Sequence, residues 1–147
     1  KLGIISFVFF SLLLLAFTFL IPGEIRISRA IDMKAEKNTL MPFIADTTAW
    51  PKWNSYLMDT SRRFQISDLK VSDSLVSSTW KSGDRVFKSS FATYETLPGT
   101  ITLQWFFDFD LGWYPWEKIA GITYDKQTGP VMEESLARLK RLVESNP

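Results

Sequence analysis

From Leu2 to Ile21 the chain carries no charged residue, and apolar side chains fall on every helical face. A run of that length matches the roughly 20 residues needed to cross a bilayer core. It exceeds the ~7–15-residue apolar region of a cleaved signal peptide, and no Ala-x-Ala-like cleavage site follows it. The pattern predicts a transmembrane anchor over residues 1–22, with a cleaved signal as the alternative. A buried soluble helix fits least, because no face is polar. Pro22-Gly23 forms the joint to a second unit, residues 23–147.

That unit opens with period-two alternation. Ile25-Arg26-Ile27-Ser28-Arg29-Ala30-Ile31 reads as a half-buried strand, with Ile25, Ile27 and Ile31 facing in. A short helix is predicted from Asn38 or Thr39, with Leu40, Phe43 and Ile44 on its apolar face. Pro42 then falls in the first turn, where the missing N–H costs little. Asp46 to Trp53 reads as a loop or a second short helix, with Trp50 and Trp53 on one side.

Phe64 and Ile66 suggest a short strand, and Leu75 to Trp80 a clearer one ending at Lys81-Ser82-Gly83-Asp84. Arg85–Tyr94 and Thr100–Phe109 form a predicted hairpin around Leu97-Pro98-Gly99. In its second strand Leu103, Trp105, Phe107 and Phe109 share one face. Thr102, Gln104, Phe106 and Asp108 share the other. The bulkier face is expected inside. Trp113 to Ile122 reads as a short helix or turn. A final helix is predicted to begin near Pro130, with Val131, Ser135 or Leu136, Leu139, Leu142 and Val143 at helical spacing. Its early Glu133 and Glu134 and late Lys140 and Arg141 suit the helix dipole.

Composition then narrows the chemistry. Seventeen basic and sixteen acidic residues leave a net charge of +1, with no basic footprint for nucleic acid. There is no histidine and no cysteine. That removes disulfides, a zinc site and any Ser-His or Cys-His nucleophile. No cofactor and no metal is expected. Sidedness is two-valued. Arg26, Arg29, Lys34 and Lys37 follow the anchor and only Lys1 precedes it, which by the positive-inside rule alone puts the domain in the cytoplasm. A short N-terminal anchor commonly serves export, and the extracytoplasmic side is the preferred expectation.

The order strand, two short helices, antiparallel strands, long C-terminal helix is a helix-grip pattern. The residues also resemble a family. Ile27-Ser28-Arg29-Ala30-Ile31-Asp32, then Phe43-Ile44-Ala45-Asp46 and Trp50-Pro51-Lys52-Trp53, look like the opening of SRPBCC proteins, the START/Bet v 1-like superfamily. Its members are often described as polyketide cyclase/dehydrase or lipid-transport proteins. Leu111-Gly112-Trp113-Tyr114-Pro115-Trp116-Glu117-Lys118, Tyr124-Asp125-Lys126, Gly129-Pro130, Glu133, Ser135-Leu136 and Leu139-Lys140 resemble a membrane-anchored bacterial subgroup. Two departures stand out. The middle is short for larger members, which implies fewer strands or a smaller cavity. Lys37 and Asn38 stand where members often carry proline and apolar residues.

The resemblance implies an α+β helix-grip fold, an antiparallel sheet wrapped around a long C-terminal helix with an apolar cavity between them. It implies no single reaction. The expected function is binding of a hydrophobic or lipid-like small molecule by a membrane-anchored domain. Candidate lining residues are Trp50, Trp53, Trp80, Phe87, Phe91, Trp105, Phe107, Leu136 and Leu139; the bland alternative is that they only fill the core. A cyclase or dehydratase would need a polar group aimed inward, for which Tyr94, Gln104, Arg85 and Tyr124 are available. A third possibility is an interaction module whose cavity is closed by its own side chains. Asp108 and Asp110 read as a solvated strand end. Trp113, Tyr114 and Trp116 are expected to lid the sheet, with a membrane interface as the competing role.

Overall fold

The computed structural model describes residues 1–20, 23–58, 64–110 and 115–145, without the side chains at 18, 115, 118 and 122. Helix α1 (Leu2–Leu20) precedes strand β1 (Glu24–Met33). Helix α2 (Lys37–Ile44), a 3-10 turn (Trp50–Lys52) and helix α3 (Ser55–Met58) follow. Strands β2 (Gln65–Val71), β3 (Leu75–Ser82), β4 (Arg85–Leu97) and β5 (Thr100–Asp110) lead into helix α4 (Pro115–Glu144). All strand pairs are antiparallel, in the order β1-β5-β4-β3-β2. The fold is α+β: a five-stranded antiparallel sheet that grips a C-terminal helix.

Side-chain alternation decides which face of the sheet meets α4. In β5, Ile101, Leu103, Trp105 and Phe107 are buried, as their period-two spacing predicts. The outer face stays polar and hydrogen-bonded, as one side of an antiparallel sheet commonly does. There Arg26 donates to Asp108 at 2.7 Å, Gln104 donates to Ser28, and the Tyr94 hydroxyl donates to Gln104.

Three elements differ from the sequence pattern. Helix α2 begins at Lys37, because the Glu36 carbonyl accepts both the Thr39 and the Leu40 N–H. Pro42 therefore lies inside it. Helix α4 begins at Pro115 and runs through Pro130 for 30 residues, where the pattern predicted a start near Pro130. A proline withdraws one backbone bond and costs about 3 kcal/mol in a helix interior. Packing of the helix on the sheet is what offsets this. The buried stripe uses Met132, Ser135, Leu136, Leu139 and Val143, with Val131 only half-buried.

The third difference concerns the anchor. Among the described residues no helix is long and apolar enough to cross a membrane. This corrects the expectation of a full span. What α1 does present is an uncharged helix with its large apolar side chains exposed.

The helix is fastened to the sheet by an arginine that the alternation turns inward. Arg29 shares its face of β1 with Ile27 and Ile31. Its guanidinium passes beneath α4 and donates to Asp125 at 3.0 Å and to Glu133 at 2.9 Å. Gly129 lies midway between these carboxylates, one helical turn from each. A Cβ there would sit 2.1 Å from the Arg29 Nη2, so only glycine leaves the passage open. The hydrogen bond from Arg29 holds the Asp125 carboxyl below its ordinary value of 3.8. That contribution is present above 3.8 and is lost only as pH falls through the lower folded value.

Gly129→Ala is expected to trade better helix propensity for a displaced Arg29. On an Arg29→Ala background the clash is gone, and the same change should stabilise the fold by about 1 kcal/mol. On the native background the gain should be smaller or reversed. A double-mutant cycle by urea unfolding measures the difference.

Candidate ligand cleft

The inner face is filled by rings. Trp50, Trp53, Trp80, Trp105, Phe91 and Phe107 are each at most 2% exposed. They touch one another in tilted and edge-to-face pairs, the geometry aromatic quadrupoles favour. Trp50 meets Trp80 at 6.0 Å and Phe91 at 5.7 Å, centroid to centroid. Trp53 meets Phe91 at 5.6 Å and Trp105 at 5.8 Å. Trp105 lies 5.4 Å from Phe91 and 5.0 Å from Phe107.

Each of the four buried indole N–H groups has an acceptor. Trp50 donates to the Ile44 carbonyl and Trp53 to the Phe43 carbonyl. Trp80 donates to Ser78 Oγ and Trp105 to Ser89 Oγ. The two carbonyls lie at the end of α2, so the indoles pin that helix over the sheet. Asp46 prepares the turn between them by accepting from both the Thr48 N–H and hydroxyl. Those bonds hold its carboxyl below the ordinary value. Leu136 and Leu139 close the same core from α4.

An opening remains at one end of the grip. A cleft of about 190 Å³ is lined by rings of Tyr56, Phe64, Trp80, Phe87, Phe107 and Phe109, with Ser82, Arg85 and Thr128. Tyr56 points into the ring cluster from α3, 5.8 Å from Phe107 and 6.4 Å from Trp80. The cleft adjoins a wider mouth of about 450 Å³ lined by Asp84, Arg85, Val86, Phe109, Asp110, Glu117 and Tyr124. Arg85 and Phe109 belong to both. The Arg85 guanidinium lies over the Tyr124 ring at 5.0 Å, where the ring quadrupole attracts a cation. A larger hollow, about 570 Å³, lies at the opposite end between Ala35–Asn38 and the 95–100 turn, and has no aromatic lining.

Of the candidate lining residues, Trp80, Phe87 and Phe107 border the cleft. Trp50, Trp53, Phe91, Trp105, Leu136 and Leu139 pack in the closed part of the core. The sequence reading passed over Tyr56, Phe64, Phe109 and Thr128 as lining. Phe109 was within reach, since it continues the Trp105, Phe107 spacing. Thr128 was hidden because the helix was expected to start after it. Tyr94 and Gln104 bond to each other on the outer face, which leaves Arg85 and Tyr124 as polar groups near the cleft. Asp108 is held by Arg26, while Asp110 reaches the mouth. No group of acidic residues suited to a metal ion occurs among the described residues. Trp113 and Tyr114 lie outside the described residues, and Trp116 is 66% exposed.

No protein-family model and no curated protein matches the chain. Solved structures do. A START superfamily protein from Mycobacterium smegmatis superposes with a TM-score of 0.60 at 16% identity, over 83% of this chain and 99% of its own. The fold is START-like. A protein from Chromobacterium violaceum gives 0.55 at 14% identity, over 84% and 99% of the two chains. A Staphylococcus aureus protein of unknown function gives 0.59 at 9% identity, over 83% and 96%. These likenesses establish the START-like helix-grip architecture.

Within this START-like domain Trp105→Phe should leave the cleft intact and weaken the fold. It removes the donor to Ser89 and leaves that buried hydroxyl without it, at a cost of roughly 1–3 kcal/mol. Urea unfolding should show the loss.

Proposed function

We propose that residues 23–147 bind an apolar small molecule or lipid-like segment in the aromatic cleft, and that residues 1–22 hold this domain in the apolar layer of a membrane. The observation that carries the reading is the cleft itself, ring-lined and open at one end between the sheet and α4. Its 190 Å³ equals about six water volumes at ~30 Å³ each, enough for one ring or a short acyl segment. It is smaller than the ~300 Å³ of ordinary ligand sites. The bound molecule would therefore insert one apolar end and leave the remainder in the mouth. Displaced water and buried apolar surface drive such binding, at about 25 cal/mol per Å² before association costs. The START-like architecture supports the reading, since it places a helix against a sheet over such a cleft.

The anchoring half rests on α1. It has 19 residues and no charge. Its exposed Phe and Leu side chains are costly in water, and acyl chains remove them from it. A second reading has its own observation in favour. The rings fill most of the grip and satisfy their own polar groups. That suits an interaction module with a closed core.

Binding of an apolar fluorophore to the full chain separates the two readings. Saturable uptake is expected, and Thr128→Phe should weaken it about tenfold or more by filling the cleft, a loss of ~1.4 kcal/mol. The thermal midpoint should barely move. A native chain that takes up nothing would leave the closed-core reading standing.

A further inference from the structure

We infer that the mouth of the cleft faces the membrane, so that ligand passes between acyl chains and cleft without crossing bulk water. This rests on the membrane and ligand reading above and extends it to an orientation and a route. Three independent features fall at one end of the sheet.

The first is the strand register. Glu24 at the start of β1 pairs with Asp110 at the end of β5. Phe87 near the start of β4 pairs with Phe109, and Ser82 pairs with Arg85 at the β3–β4 turn. The start of β1, the end of β5 and the β3–β4 turn therefore share one end. The mouth is at that end, since Asp84, Arg85 and Asp110 line it. The second is chain reach. The backbone from Leu20 to Glu24 can extend no more than roughly 14 Å. The end of α1 is thus tied within that distance of Glu24, whose strand partner Asp110 lines the mouth, and α1 also touches α4. The β4–β5 turn lies at the far end of a 13-residue strand, roughly 40 Å away.

The third is surface chemistry. The first turns of α4 expose Trp116 (66%) and Ile119 (56%), three positions apart and so on one helical face. Val86, on the rim, is exposed as well. An indole beside aliphatic groups is what the headgroup boundary of a bilayer accepts. The charged rim residues Asp84, Arg85, Asp110 and Glu117 would then lie in the headgroup layer. The ring-lined cleft would open directly above the acyl chains.

The absence of cysteine from the native chain makes the test clean. Full-length Ile119→Cys, Asp84→Cys and Thr96→Cys chains would each carry one fluorescent label in phosphatidylcholine vesicles containing doxyl-labelled lipid. Quenching is expected at 119 and 84 to exceed that at 96 roughly threefold or more, as the interface would impose. In the otherwise native chain, Ile119→Glu is expected to slow transfer of bound fluorophore to vesicles roughly tenfold with affinity unchanged. If the chain does not co-float with vesicles, the anchoring reading fails and this inference with it. If it co-floats while labels at 119 and 84 are quenched no more than the label at 96, the orientation alone is overturned. If the fluorophore never binds but the quenching order holds, the orientation stands and the ligand route is refuted.

Discussion

Ring-on-ring packing inside the grip is the constraint on which the rest of this molecule depends. Burying one such aromatic side chain contributes up to about 4–6 kcal/mol of transfer free energy. Six of them meet between the sheet and the helices that cover it. Because their N–H groups end on Ser78, Ser89 and the carbonyls of Phe43 and Ile44, the packing costs no unpaired indole donor. The consequence for function is spatial. A ligand cannot share the centre of the core with these rings. Whatever space remains is pushed to the end where β3, β4 and β5 run past Trp80 and the first half of α4.

The helix that closes this space is placed by a different interaction. Arg29 and Gly129 form a fitted pair, a long cationic side chain and the gap left by a missing Cβ. Asp125 and Glu133 secure the guanidinium on either side. These ion pairs are partly solvated and modest in energy. Their role is register. They fix which turn of α4 lies over β1, and so bring Thr128 to the cleft and Tyr124 to Arg85. The length of α4 follows from the same contact. A helix held at Gly129 and packed from Met132 to Val143 tolerates Pro130, though a free peptide of this sequence would break there.

Much of this architecture was legible along the chain. Period-two alternation in Thr100–Phe109 located the inner face, because strand geometry sends successive side chains to opposite sides. The Leu97-Pro98-Gly99 turn and the spacing of Trp50 and Trp53 placed the hairpin and the cover of the core. The resemblance of both ends to START-like proteins agreed with the fold found. The cleft was less legible. Aromatic content announces an apolar interior and is silent on whether rings meet each other or a guest. Trp105 and Trp80 look alike in sequence, yet one is sealed beneath Trp53 and the other borders open space.

The amino-acid sequence by itself determined the element types, the bulky inner face, the uncharged first helix and the exclusion of histidine- and cysteine-based chemistry. Those are local properties, set by backbone geometry and residue type. Tertiary structure alone decided that α4 runs through Pro130, that Arg29 turns inward to Gly129, and that the open space collects at one end. Each depends on residues roughly 20 to 100 positions apart meeting at van der Waals distance, where close packing leaves room in only a few places.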